Sequence, residues 1–156
     1  MGNRMANLMC ACKKLSALGE DFYYSSVYET EAWGFDADQQ FLNLVLRFHT
    51  SLLPEELLEE IHSIENKLGR IRRNLKTGYE SRPIDIDILF WGDKIINTEN
   101  LVVPHPQLQY RKFVLVHLNE IAADYFHPVL KKHIQQLLLE CSDNCNVVLN
   151  NKFTHS

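Results

Sequence analysis

Two carboxylates one residue apart, Asp85 and Asp87, sit in the stretch Arg82-Pro83-Ile84-Asp85-Ile86-Asp87-Ile88-Leu89-Phe90. Apolar and acidic residues alternate with the period of a strand. That puts Ile84, Ile86 and Ile88 on one face and both aspartates on the other, roughly 6.5–7 Å apart. Aspartate is a poor strand former, and like charges side by side repel, so a chain that keeps both has a use for them. The simplest use is a hard divalent cation, which prefers carboxylate oxygens. A solvated outer face of an antiparallel sheet is the competing reading, and the strand alone does not decide between the two.

The surroundings add chemistry. Arg70, Arg72, Arg73, Lys76 and Arg82 form a dense basic segment that contains Gly78 and few apolar residues, which predicts a loop. Guanidinium groups grip phosphate oxygens through paired hydrogen bonds. In a chain of net charge −4 such a cluster is local and specific. A basic loop feeding into paired carboxylates describes a site for a metal-bound polyphosphate. Downstream, His105 lies between Pro104 and Pro106 and reads either as a phosphate donor or as a turn residue, and Arg111 adds another cation. Upstream, Phe41 and Asn43 share a strand face with Val45 and Arg47. An aromatic beside an amide suits a flat polar heterocycle, by stacking and paired hydrogen bonds, although half-exposed strands often carry such pairs.

The elements that must position these groups follow from periodicity and breakers. Met5, Leu8, Met9, Cys12 and Leu15 predict a helix over residues 3–18, stopped by Gly19. Phe22 to Thr30 reads as a strand. Residues 31–40 read as a loop carrying Trp33 and Phe35, either a binding loop or an apolar plug. Phe41 to His49 reads as a second strand with Leu42, Leu44, Leu46 and Phe48 inward. Pro54 to Leu68 is the clearest helix: Pro54 suits the first turn, Glu55 and Glu56 suit its positive end, and Gly69 ends it. Glu65 lies at the edge of its apolar stripe. A turn at 91–94, a short strand at 95–97, a helix from Phe113 to Ile121 and a helix from about Pro128 to Glu140 complete the chain. Residues 150–156 read as a frayed polar tail. With no repeat or linker, 1–156 is expected to be one domain.

The chain has 156 residues, 46% hydrophobic and 23% charged, as expected for a domain with a real core. Its negative charge argues against a nucleic-acid or membrane-surface protein. No apolar run approaches the roughly 20 residues that span a bilayer. Met1-Gly2-Asn3-Arg4 leads into a mixed helix, not a secretory signal, and a cytoplasmic location is expected. Cys10, Cys12, Cys141 and Cys145 lack a standard zinc spacing and read as incidental thiols of a reducing compartment.

With these residues placed, the chain resembles the 6-hydroxymethyl-7,8-dihydropterin pyrophosphokinase family of the folate pathway. The resemblance runs in order from about Met1 to Pro128. It is carried by Met1-Gly2-Asn3-Arg4, Leu42-Asn43, Pro54-Glu55-Glu56-Leu57-Leu58, Ile64-Glu65, Gly69-Arg70-Ile71-Arg72, Arg82 to Leu89, Val103-Pro104-His105-Pro106, Arg111-Lys112-Phe113-Val114-Leu115 and Leu118-Asn119-Glu120-Ile121. It implies a ferredoxin-like α+β fold with an antiparallel sheet. It also implies transfer of pyrophosphate from ATP, the co-substrate, to the pterin hydroxymethyl group, leaving AMP.

By the same resemblance, Asp85 and Asp87 match ligands of two magnesium ions. Arg70, Arg72, Arg73, Arg82, His105 and Arg111 match ATP- and phosphate-contacting positions, with Glu65 and Ile88 at the nucleotide site. Arg70, Arg72 and Arg82 join the aspartates as catalytic residues. Phe41 (often tyrosine in the family), Asn43, Phe113 and Thr30 match the pterin pocket. Small-molecule substrates and a monomer are expected, with a dimer as the alternative. Four features depart from the family pattern. The family's first strand precedes the Met1-Gly2-Asn3 piece with which this sequence starts, so either the true start lies upstream or a truncated form is expected; Tyr79 is the nearest aromatic to the family's loop tryptophan; Asn100 stands where some members carry another arginine; and His117 replaces a frequent proline. The missing strand keeps a second reading in view, a non-catalytic module that binds nucleotide or pterin.

Overall fold

A computed structural model of the chain describes residues 4–31, 40–73, 84–144 and 147–150. The fold is α+β with antiparallel strand pairing, as expected from the sequence. The chain forms two compact units, one of Met1–Phe22 and Phe48–Asp87, the other of Tyr23–Arg47 and Ile88–Ser156.

The first unit is built on two helices, α1 (Arg4–Leu15) and α2 (Pro54–Arg73), which pack together. Leu57, Ile61, Ile64 and Leu68 form the buried stripe of α2, as their spacing predicts. The stripe of α1 is rotated from the expected one: Ala11 and Leu15 are its buried centre, while Met9 is exposed. Helix α2 starts at Pro54 as expected, and the Glu56 carboxylate also caps it by accepting the Leu53 N–H at 2.8 Å. Its end differs from the expectation. Gly69 does not stop the helix, which runs on through Arg73, so Arg70, Arg72 and Arg73 lie on a last helical turn and not in a loop. Glycine costs a helix only about 1 kcal/mol, and cationic residues suit the negative C-terminal end of the dipole. After a short 3₁₀ turn (Ser16–Leu18), Gly19 is extended. A Cβ there would lie 2.1 Å from the His49 carbonyl oxygen and 2.5 Å from the Phe48 ring, so only glycine permits this approach.

Strands β1 (Glu20–Tyr24) and β4 (Leu46–His49) pair, and the chain passes between the units within them. The two long strands expected at 22–30 and 41–49 are each broken. Each contributes one half to the β1–β4 pair and the other, as β2 (Tyr28–Glu31) and β3 (Gln40–Asn43), to a second sheet. The break is held by Ser25: its hydroxyl accepts the Val45 N–H at 2.9 Å, and its own N–H donates to the Val45 carbonyl at 2.8 Å. Val45, expected on the outer face, consequently packs on the core.

In the second unit, β2 is the central strand of an antiparallel sheet ordered β3-β2-β7, with β7 at Val147–Leu149. Helix α3 (Lys112–Ala122) lies against β2, β7 and α4 (Ile134–Glu140). Leu108, Val114, Leu115, Leu118, Ile134 and Leu137 are the buried core, joined by Leu89, Phe90, Phe113 and Tyr125. A hairpin, β5 (Ile96–Asn97) and β6 (Val102–Val103), follows a turn at Gly92, whose φ of +56° favours glycine. The last helix starts at Ile134 and not near Pro128. Ahead of it Lys131 has φ +59°, and the His127 ring accepts the Val129 and Leu130 N–H groups at 3.2 and 3.0 Å. Asn150, placed in the frayed tail by its sequence, is 8% exposed and donates to Glu29 at 2.9 Å. Residues 151–156 lie outside the described residues.

Candidate active site

In the first unit the acidic stretch keeps its alternation but is not a strand. Ile84 and Ile86 are half-buried, Asp85 and Asp87 are exposed, and residues 84–90 form no ladder. The chain is held by a side chain: Glu65, on α2, accepts the Ile86 N–H through Oε2 at 2.9 Å. The amide so held lies between the two aspartates. Glu65 thus acts on the segment that presents the carboxylates, a role that its place at the edge of the helix stripe did not reveal. Arg70, Arg72 and Arg73 have backbone positions on the last turn of α2. Arg82 and Tyr79, with Trp33 and Phe35 of the expected loop, lie outside the described residues.

Asp85 and Asp87 carry hard oxygen donors of the kind magnesium takes. Among the described residues no group of three or more His, Cys, Asp or Glu side chains could hold a metal. A pair of carboxylates nevertheless fits this ion. Magnesium is held by one or two carboxylates, with water and substrate phosphate oxygens completing its shell.

In the second unit Ile88 is half-buried, and the Leu89 carbonyl accepts the His105 N–H at 2.9 Å. His105 Nδ1 accepts the Gln107 N–H at 3.1 Å, so a neutral ring carries its proton on Nε2. The ring thus shapes the turn, as one of the two readings of His105 expects. Arg111 is the half-buried N-cap of α3. The Asp143 carboxylate accepts the Lys112 N–H at 3.0 Å and supplies the anion that this helix start wants.

The four residues matched to the pterin pocket also lie in this unit. Thr30 pairs with Phe41 across β2 and β3, and Tyr28 with Asn43. Asn43 donates its side-chain amide to the Thr30 hydroxyl at 3.0 Å. Thr30 is buried, Asn43 half-buried and Phe41 55% exposed, so the pair presents an amide beside an open aromatic face. Phe113, at the start of α3, is half-buried against the core.

Sequence reasoning passed over two residues here. Glu120 accepts the Ser26 N–H and hydroxyl at 2.5 and 2.6 Å and anchors the β1–β2 connection to α3. His117 is fully buried, with one ring nitrogen at the Phe113 carbonyl and the other 2.8 Å from the Asn43 carbonyl. Nothing in local sequence marks either contact, because Ser26 and Asn43 are distant in the chain. Burial pushes His117 below the usual histidine range, against the opposing pull of the two carbonyls and Glu120, and burial also lowers His127. Cys12 is pushed up to about 11 by burial, so its thiol is not a nucleophile at neutral pH.

The two histidines predict a pH dependence of stability. Their folded pKa values lie below the ordinary 6.5, so in this window the unfolded chain binds more protons. Their contribution is fully present above that value and is lost as pH falls below it. The urea midpoint should therefore drop between pH 7.5 and 5.5, a window above the carboxylate range, and His117→Phe should flatten the slope. A midpoint that stays level across this window in the wild type would contradict the assignment.

Paired carboxylates in one unit, and an amide beside an aromatic in the other, are residue types that a phosphoryl-transfer enzyme with a heterocyclic substrate uses. A model of the 7,8-dihydro-6-hydroxymethylpterin-pyrophosphokinase family matches residues 1–123. The chain belongs to this family, and is thereby a transferase with small-molecule substrates. It is 43% identical over 136 residues to the 2-amino-4-hydroxy-6-hydroxymethyldihydropteridine pyrophosphokinase of Aquifex aeolicus, covering 87% of this chain and 83% of that protein. The Synechocystis enzyme of the same name is 43% identical over 114 residues, 73% of this chain and 56% of its own length. The folic acid synthesis protein fol1 of Pneumocystis carinii is 42% identical over 130 residues, 83% of this chain and 17% of that longer protein. Among the described residues no helix is long and apolar enough to cross a membrane.

Proposed function

We propose that the chain transfers the pyrophosphoryl group of ATP to the hydroxymethyl group of 6-hydroxymethyl-7,8-dihydropterin, giving AMP and the pterin diphosphate in folate biosynthesis. The observation that carries this reading is the Asp85/Asp87 pair, held exposed on a backbone that Glu65 pins at Ile86. The family match over residues 1–123 favours this reading over a non-catalytic binding module.

Asp85 and Asp87 would hold magnesium, which when bound neutralises phosphate charge and polarises the β-phosphorus for in-line attack. Arg70, Arg72, Arg73 and Arg82 would take the charge that develops on the phosphate oxygens, as preorganised cations do best. His105 would donate its Nε2–H, and Arg111 its guanidinium, to phosphate oxygens. Glu65 keeps the aspartate segment in place, and Ile88 would give an apolar contact to the nucleoside. Asn43, oriented by Thr30, would read the amide edge of the pterin, and Phe41 and Phe113 would contact its faces. No side chain in the set is an evident general base, so positioning and charge neutralisation supply most of the acceleration. The enzyme is taken to act as a cytoplasmic monomer.

Chelation tests the metal requirement. With ATP and hydroxymethyl-dihydropterin, AMP release should vanish in excess EDTA and return on addition of magnesium. Turnover that persists in EDTA would overturn the role given to the aspartates.

A further inference from the structure

A fully buried imidazole must find partners for its polar atoms, because burying an unpaired polar group is costly. Among the described residues, those of His117 are main-chain carbonyls. Nε2 lies 2.8 Å from the Asn43 carbonyl, on the last residue of β3, and Nδ1 faces the Phe113 carbonyl one helical turn back on α3. Phe113 packs edge-on to the same ring at 6.5 Å, and Tyr28, the register partner of Asn43, packs edge-on at 4.7 Å. Through Asn43 the contact reaches the Thr30 hydroxyl at 3.0 Å. One ring thus joins three of the four residues assigned to the pterin, two directly and one at one remove.

A neutral imidazole carries one N–H. The Phe113 carbonyl stands four residues back, where an α-helix already serves it with the His117 backbone N–H. Asn43 lies on another element, so the Nε2 contact is the one that joins α3 to β3.

We propose that His117 is a positioning residue for the pterin half of the site: its Nε2 contact with the Asn43 carbonyl fixes the end of β3 against the start of α3, and so sets the spacing of Asn43 and Phe113 that the pterin ring requires. This rests on the pterin assignment made above. It also goes beyond it, because His117 touches no substrate and acts through the two residues that do.

The test separates the two ring nitrogens. A glutamine amide reaches about as far as Nε2, an asparagine amide only about as far as Nδ1. Binding of hydroxymethyl-dihydropterin in the presence of a non-hydrolysable ATP analogue and magnesium would be measured by calorimetry, with the analogue's own affinity measured separately. His117→Gln should hold the pterin Kd within about threefold of wild type. His117→Asn and His117→Phe should weaken it about tenfold or more, with nucleotide affinity unchanged. Equal pterin affinity in all three variants, or equal losses for pterin and nucleotide, would overturn the proposal. A wild type that binds no pterin would instead overturn the pterin assignment. Should His117→Asn and His117→Phe fail to fold, the ¹⁵N-labelled imidazole of the wild type decides. Pterin should shift the His117 Nε2 resonance and leave that of exposed His133 in place, and an unmoved His117 signal counts against the proposal.

Discussion

Asp85→Ala and Asp87→Ala should each lower kcat for AMP formation by roughly 10²–10³-fold or more, the scale on which charge stabilisation of a transferring phosphoryl group is lost. Both carboxylates are exposed on a chain whose apolar residues turn the other way. Their removal therefore leaves no cavity, and the folded state should be spared. The thermal midpoint should change far less than activity, which collapses. Asp→Asn keeps shape and one oxygen but removes the charge a hard cation needs, and should be nearly as damaging. Loss of activity together with loss of fold would assign the aspartates a structural role. Retained turnover in either alanine variant would remove them from catalysis.

Glu65→Ala should be the next most damaging change. Its carboxylate holds the Ile86 amide across a gap of 21 residues in sequence, at a position outside the described strands. A hydrogen bond to a charged group contributes about 1.5–3 kcal/mol, so kcat/KM for magnesium–ATP should fall roughly 10–100-fold. Glu65→Gln keeps a carbonyl acceptor at the same reach and should recover most of that loss. Had Glu65 acted by its charge alone, glutamine would be as poor as alanine, and a titration of both variants against magnesium–ATP tells the two apart.

The acidic stretch shows what was legible and what was not. The alternation of isoleucine and aspartate was plain, and burial follows it residue by residue. What replaces the ladder was not legible, because the partner is a side chain from a distant helix. The same holds at Ser25 and Val45, where a hydroxyl divides two strands that read as continuous. Gly69 is a local stop that tertiary packing overrides, since a stripe of four buried residues outweighs one glycine. Strand β7 is three residues long and too short for any period to mark. For the proposed site, the residue types suited to chemistry were legible in sequence: the aspartates, the arginines, His105 and the Phe41/Asn43 pair. The contacts of Glu65 and His117 were not, because they reach main-chain atoms far away in sequence.

Product analysis tests the central claim most directly. Wild-type protein would be incubated with ATP, magnesium and 6-hydroxymethyl-7,8-dihydropterin, and the products resolved by ³¹P NMR and mass spectrometry. AMP and a pterin diphosphate should form one to one, and neither without the pterin. Formation of ADP with a pterin monophosphate, or AMP release that does not depend on the pterin, would contradict it.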